Sequence, residues 1–156
     1  MTYSQLVDKM DRVACALKRR GLQSNETVLV IASNYVEVAV FFFGVWAAGG
    51  VNACLSLNLL PGEWRTRTAS SSDPVSWSFI GRSSRSMMSF EEDIRTRTRE
   101  IGATFVLTDA LRAGRVLEAT VDVASVREVF VVGEYEGATS IDQLFQEPIK
   151  GEGKTK

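Results

Sequence analysis

Between residues 27 and 58 the apolar positions change period twice. Thr27-Val28-Leu29-Val30-Ile31 is a β-branched run with no charge inside it, the pattern of a strand covered on both faces. Ser33-Asn34 supplies a helix-start signal, and residues 35–48 follow as a helix with almost no polar position. Gly49-Gly50 stops it, and Val51-Asn52-Ala53-Cys54-Leu55 resumes extended, buried structure. The pattern predicts one β-α-β unit with little solvent-facing surface, the centre of an α/β domain. Phe41-Phe42-Phe43 and Trp46 read as core packing, because no basic residue interleaves with them as in a base-stacking platform.

Before this unit, Thr2 and Gln5 form a capping box, and Leu6, Met10, Val13, Ala14 and Leu17 share one face of an amphipathic helix. Lys18-Arg19-Arg20 closes that helix as a solvated basic cap ahead of Gly21. Beyond residue 90 the rhythm resumes. Residues 91–101 read as a charged helix after the capping box Ser89-x-x-Glu92, closed by Gly102, and residues 103–108 as a strand ending at Asp109. Residues 110–121 read as a helix weakened by Gly114, and residues 128–133 as a further strand. Residues 140–145 read as a final turn with Ser140 as N-cap and Gln143 at its third position, and the polar tail 151–156 as disordered. Strands alternating with helices imply an α/β fold with a mostly parallel sheet covered by helices.

Residues 59–89 interrupt the pattern with a Ser/Arg-rich run that sustains no period. Glu63-Trp64-Arg65-Thr66-Arg67-Thr68 parallels Asp93-Ile94-Arg95-Thr96-Arg97-Thr98, each after a helix-start signal. One match with different flanks is not a solenoid. It suggests one structural position encoded twice, as an alternatively spliced or misassembled transcript would do. The organisation expected is therefore 1–58 as the first part of a domain and 59–89 as an insert. Residues 90–147 would continue the domain, and 148–156 would form the tail.

Composition narrows the chemistry. Lys plus Arg number 18 against 19 Asp plus Glu, so bulk charge favours neither nucleic acid nor an anionic membrane. The absence of histidine removes Ser-His triads and every His-containing metal site. Cys15 and Cys54 lie inside apolar patterns and are expected as buried free thiols in a reducing compartment, consistent with a cytoplasmic location. No secretory signal is visible at the start, and the last residues are not a peroxisomal address. Residues 38–62 carry no formal charge, but Gly49-Gly50 divides the span, so a buried core helix is expected rather than a membrane crossing.

Ligands of α/β sheets bind where strands end and helices begin. The positions of that kind are Ser33-Asn34, Asn58 and Thr108-Asp109. None carries a glycine-rich phosphate pattern, and Gly49-Gly50 reads as a helix stop. Ser33, Asn34 and Asp109 are expected as plain N-caps rather than ligand contacts, and Glu37 as a first-turn acid favoured by the helix dipole. No catalytic, cofactor-binding or metal-binding residue is assigned on this basis.

The combined spacing of several segments resembles the adenylate-forming (AMP-binding) synthetases, in particular acyl-CoA and 4-coumarate–CoA ligases and beetle-luciferase-like enzymes. The segments are Thr2-Tyr3-Ser4-Gln5-Leu6, Val13-Ala14-x-x-Leu17, Gly21-Leu22, Thr27–Ile31 with Asn34-x-x-Glu37, Gly44-x-x-x-Ala48-Gly49-Gly50, Leu57-Asn58, the helix around Glu91-Glu92, and Gly102 to Asp109. The resemblance implies a piece of the large N-terminal domain of an enzyme that uses ATP, Mg²⁺ and CoA to convert a carboxylic acid to an acyl-adenylate and then an acyl-CoA. It also implies that the phosphate loop, the adenine and Mg²⁺ segments and the lid lysine belong to later parts of such a chain, and no stretch here matches them. Leu59 stands where the family has proline after the Asn58 position. The expectation is a truncated, catalytically incompetent form. A small non-catalytic α/β domain that pairs with a full-length paralogue is the alternative. An unpartnered sheet edge would promote aggregation.

Overall fold

The computed structural model describes residues 2–55 and 89–149. Helix α1 (Tyr3–Arg19) leads to strand β1 (Thr27–Ile31), helix α2 (Val36–Ala48) and strand β2 (Val51–Cys54). After the gap come α3 (Phe90–Glu100), β3 (Ala103–Asp109), α4 (Ala113–Thr120), β4 (Glu128–Val132), β5 (Thr139–Ser140) and α5 (Ile141–Gln146). The strands form one sheet in the order β2-β1-β3-β4-β5, and every pairing is parallel. This is the α/β fold the alternating pattern implied.

Side-chain alternation along the strands divides the core in two. On one face Val28, Val30, Phe105, Leu107 and Phe130 pack with Val13 and Leu17 of α1, Phe41 and Val45 of α2, and Ile141 and Leu144 of α5. On the other, Leu29, Ile31, Val106 and Val129 pack with Phe90 and Ile94 of α3 and Val116 and Ala119 of α4. Phe130 anchors the first face, its ring 5.7 Å from that of Phe41 and 5.8 Å from that of Phe105. Helices α1 and α2 approach closely at Gly44, where an added Cβ would collide with Val13 Cγ1. Glycine at this position is a packing requirement.

The termini of the elements follow local chemistry. Thr2 and Gln5 form the full reciprocal capping box on α1. Ser89 accepts from the Glu92 N–H at the start of α3. Gly49 adopts φ +91° after α2 and places its N–H on the Trp46 carbonyl, while the Gly50 N–H reaches the Val45 carbonyl.

Several sequence expectations are corrected. Among the described residues strand β2 lies at the sheet edge, with Val51 and Cys54 exposed, so it is not buried as its apolar sequence suggested. Cys54 is accordingly an exposed thiol and Cys15 a half-buried one. Partial desolvation still pushes the Cys54 thiol up, which keeps it protonated at neutral pH. Phe41 is fully buried, but Phe43 and Trp46 are 41% and 58% exposed, which removes them from the core. Helix α4 starts three residues later than the pattern suggested, because Asp109 to Arg112 form a hydrogen-bonded turn. Gly114 lies in the first turn of α4, where an added Cβ would meet the Tyr135 hydroxyl, so it permits a contact rather than weakening mid-helix structure. Ser140 precedes α5 without a side-chain capping bond, and its backbone belongs to β5.

The basic end of α1 is not merely solvated. Arg20 pairs with Glu128 and Glu147, Arg19 pairs with Glu147, and Arg19 Nη2 donates to the Pro148 carbonyl at 2.6 Å. These bonds tie α1 to β4 and to the segment after α5, so the ordered body continues through Pro148. The insert 59–89 and the tail 148–156 otherwise fall mainly outside the described residues, as do Asn58 and the first copy of the Arg-Thr-Arg-Thr repeat. The second copy lies in α3, where Arg97 pairs with Asp93 and the Thr98 hydroxyl donates to the Ile94 carbonyl. Among the described residues no helix is long and apolar enough to cross a membrane.

Candidate functional site at the strand ends

The helix after β1 lies on one face of the sheet and the helix after β3 on the other. Adjacent strands whose following helices diverge leave a crevice at their carboxyl ends, the usual ligand position in open α/β sheets. Here that crevice lies between β1 and β3. The structure brings Ser33 and Asp109 together there, although 76 positions separate them in sequence.

Asp109 is 3% exposed, and both of its carboxylate oxygens accept hydrogen bonds. Its Oδ2 accepts from the Ser33 N–H and from the Ser33 hydroxyl, both at 3.1 Å, and from Arg112 Nη1 at 2.6 Å. Its Oδ1 accepts from the Arg112 N–H at 3.2 Å. Arg112 Nη1 also donates to Ser33 Oγ at 3.3 Å. Below them the Thr108 hydroxyl donates to the Ile31 carbonyl at 3.0 Å. A buried carboxylate with a charge partner and three further donors is electrostatically satisfied. It fastens the end of β1 to the turn that starts α4.

The arrangement has little capacity for acid–base or phosphate chemistry. The crevice already holds an anion, the Asp109 carboxylate, where a ligand anion would sit. Neither Ser33 nor Asn34 caps α2: its N-cap is Tyr35, which makes no side-chain capping bond, and Asn34 is exposed. Glu37 occupies the first turn of α2 as expected. The amides of Gly49 and Gly50 are bonded to their own helix and leave no phosphate cradle. Among the described residues there is no group of three Cys, Asp or Glu side chains able to hold a metal ion.

Arg112 is the functional-looking residue that sequence reasoning missed. The signal was available as Asp109-x-x-Arg112, an acidic and a basic residue three apart at a strand-to-helix turn. A second polar tie, between Glu26 and Arg127, joins the turns preceding β1 and β4. Burial acts to raise the Glu26 carboxyl, but the Gln23 N–H and the Arg127 guanidinium outweigh it and hold it below the ordinary carboxylate range.

The second candidate feature is apolar. A groove of about 560 Å³ runs along the outer side of α2, lined by Asn34, Tyr35, Val36, Phe42, Phe43 and Trp46, among others. Phe43 and Trp46 meet edge to face with ring centres 5.7 Å apart, and Phe42 and Trp46 at 6.4 Å. Asn52 Nδ2 donates to the Phe42 carbonyl behind this wall, while its Oδ1 is buried without a partner.

Comparison with known proteins locates this scaffold. The model of the family described as AMP-binding enzyme matches residues 1–77. A medium/long-chain-fatty-acid–CoA/3-oxocholest-4-en-26-oate–CoA ligase of Mycobacterium tuberculosis is 31% identical over 65 residues, 42% of this chain and 12% of its own length. Among solved structures, a benzoate CoA ligase from Burkholderia xenovorans LB400 superposes with a TM-score of 0.65 at 19% identity. It covers 93% of this chain and 23% of the ligase. A fatty acyl CoA synthetase of Mycobacterium tuberculosis gives 0.62 at 17% identity, covering 93% of this chain and 22% of its own. The chain thus spans about an eighth of the curated relatives and under a quarter of these two solved ones. The match of the AMP-binding family model over residues 1–77 and the sequence likeness to a CoA ligase over 65 residues make the first half of the chain similar to adenylate-forming, AMP-binding enzymes, and the parallel sheet shares the fold of the solved CoA ligases.

Proposed function

We propose that the chain supplies sheet scaffold to an AMP-forming carboxylate–CoA ligase of the 4-coumarate–CoA type and is catalytically incompetent by itself. In the complete enzyme ATP, Mg²⁺ and CoA would serve the conversion of a carboxylic acid to acyl-adenylate and acyl-CoA, in the cytoplasm. The single observation that carries incompetence is the self-occupied crevice. The Asp109 carboxylate, closed by Ser33 and Arg112, occupies the sheet's natural ligand position and sets a negative charge where a nucleotide phosphate would approach. The test is an acyl-adenylate assay with ATP, CoA and a panel of aromatic and aliphatic carboxylates. Purified chain should release no AMP above background, and turnover with any carboxylate would overturn the reading. The repeated Arg-Thr-Arg-Thr run supports an isoform arising at a splice junction. A transcript joining the codons of Asn58 directly to those of Phe90 is the expected companion, and its absence from sequenced transcripts would count against that origin.

The exposed wall of Phe43 and Trp46 favours a second reading, a non-catalytic interaction domain acting on a full-length paralogue. Titrating the paralogue with this chain should change its activity, and no binding would remove that reading.

A further inference from the structure

Strand β5 and helix α5 form one short stretch, and neither can hold itself in place. Strand β5 contributes two residues, Thr139 and Ser140, paired with Phe130 and Val131 of β4. Helix α5 has six residues and no side-chain cap, far below the roughly 12–15 residues at which an isolated helix becomes even marginally stable. Its order therefore comes from tertiary contacts. Ile141 and Leu144 are fully buried in the first face of the core, between α1 and β4, and Lys9 Nζ lies 4.8 Å from the centre of the Phe145 ring. The packing of α1 on α2 and the pairing of β3 with β1 and β4 are made without any residue of this stretch.

One residue closes the stretch against α1. Arg12 Nη1 donates to the Glu147 carbonyl at 3.1 Å, Arg19 Nη1 to its Oε2 at 3.2 Å, and Arg20 Nη1 to its Oε1. Arg19 Nη2 also donates to the Pro148 carbonyl. Each arginine has somewhere to go when Glu147 leaves. Arg12 retains Asp8 at 2.9 Å, Arg20 retains Glu128 of β4 at 3.2 Å, and the Arg19 side chain is 42% exposed to water. Separating the cluster therefore strands no buried charge, which is the usual obstacle to opening an ion pair.

We infer that residues 139–148 form a strap that opens and closes as one unit over the α1 face of the sheet, with Glu147 as its latch, while β1, β3 and β4 stay folded. Opening gives up two buried aliphatic side chains and a part-exposed ion-pair cluster, far less than the two-faced core holds. It is thus a sub-global motion, reached without unfolding the sheet. The open form presents the apolar strip between α1 and β4 that Ile141 and Leu144 fill when the strap is closed.

The strap does not depend on the adenylation reading, and each can fail alone. Hydrogen exchange of the full chain, read by mass spectrometry on peptides from 139–147, tests it. These amides should exchange faster than those of β1 and β3, through an opening that low urea concentrations barely accelerate. Glu147→Gln keeps the carbonyl that accepts from Arg12 but removes the charge held by Arg19 and Arg20. It should speed exchange of 139–147 roughly five-fold or more and leave β1 and β3 unchanged. Arg19→Gln, which alters a half-exposed side chain bonded only to the strap among its printed partners, should reproduce the effect if the first variant folds poorly. Raising NaCl to roughly 0.5 M should accelerate the same peptides in the wild type and much less in Glu147→Gln, because a part-exposed ion cluster is screened. Exchange of 139–147 in step with β1 and β3 at every urea concentration would overturn the strap. So would equal acceleration of all peptides in the variants, the signature of general destabilisation. Exchange unchanged by both substitutions and by salt would overturn Glu147 as the latch.

Discussion

Strands β1 and β2 are the two halves of one β-α-β unit, and their sequences are similarly apolar, yet they differ in burial. From Val28 to Ile31 every residue of β1 is buried, whereas β2 is exposed at both ends. The difference comes from neighbours. Strand β1 lies between β2 and β3 with helices on both faces, while among the described residues β2 has one neighbour. Helix α2 repeats the contrast within a single element. Its Phe41 and Val45 are sealed against α1 and the sheet, while Phe43 and Trp46 two and one positions away face outward. Apolar sequence sets the capacity to be buried, and sheet position decides whether the capacity is used.

Substitutions can break this comparison. The largest effect is expected at the centre. Phe130→Ala should cost about 3–5 kcal/mol by urea denaturation, because it removes a ring packed on both Phe41 and Phe105. That is a large share of the stability of a small domain. Asp109→Ala should cost about 2–3 kcal/mol, since it strands the Ser33 N–H and hydroxyl and the Arg112 guanidinium at a buried junction. Gly44→Ala should cost about 1–2 kcal/mol despite better helix propensity, because the new methyl meets Val13 across the α1–α2 contact. Trp46→Ala should cost only about 1 kcal/mol, the two edge-to-face contacts of a half-exposed ring. A loss there as large as that of Phe130→Ala would show that the outer side of α2 is core after all.

The smallest effect is a pH dependence. The Glu26 and Glu91 carboxyls lie below their ordinary value, Glu91 through its bond to Arg115 and Glu26 through Gln23 and Arg127. A depressed folded value means that the unfolded chain binds the proton first. The stabilisation is therefore present above about pH 4.5 and lost as pH falls through the folded value. Both pairs are near the surface, so each contributes at most about 1 kcal/mol. Thermal melts of wild type and Glu26→Gln should diverge at pH 7 and converge well below pH 4.5.

Local order was largely legible because its causes are local. The Thr2–Gln5 box, the Gly49 stop and the runs in β1, β3 and β4 were read correctly from neighbours a few positions apart. Strand β5 was missed because Thr139 and Ser140 are too short a stretch to show alternation. Trp46 was misplaced because a helix that is apolar all round has no periodicity to say which side is covered. The expected N-cap role of Ser33 failed because Asp109, from a distant strand, is a stronger partner for its N–H and hydroxyl than the first turn of α2.

By itself the sequence determined the α/β class, the helix and strand periods, the lack of histidine chemistry and the likeness to adenylate-forming enzymes. Those features depend on residue type and short spacing, which folding does not alter. Only the tertiary structure decided that β2 lies at the sheet edge among the described residues, that α2 turns an aromatic wall outward, and that Asp109 closes the crevice with Ser33 and Arg112. Strand order and long-range ion pairs join residues far apart in the chain, and no local spacing encodes such a meeting.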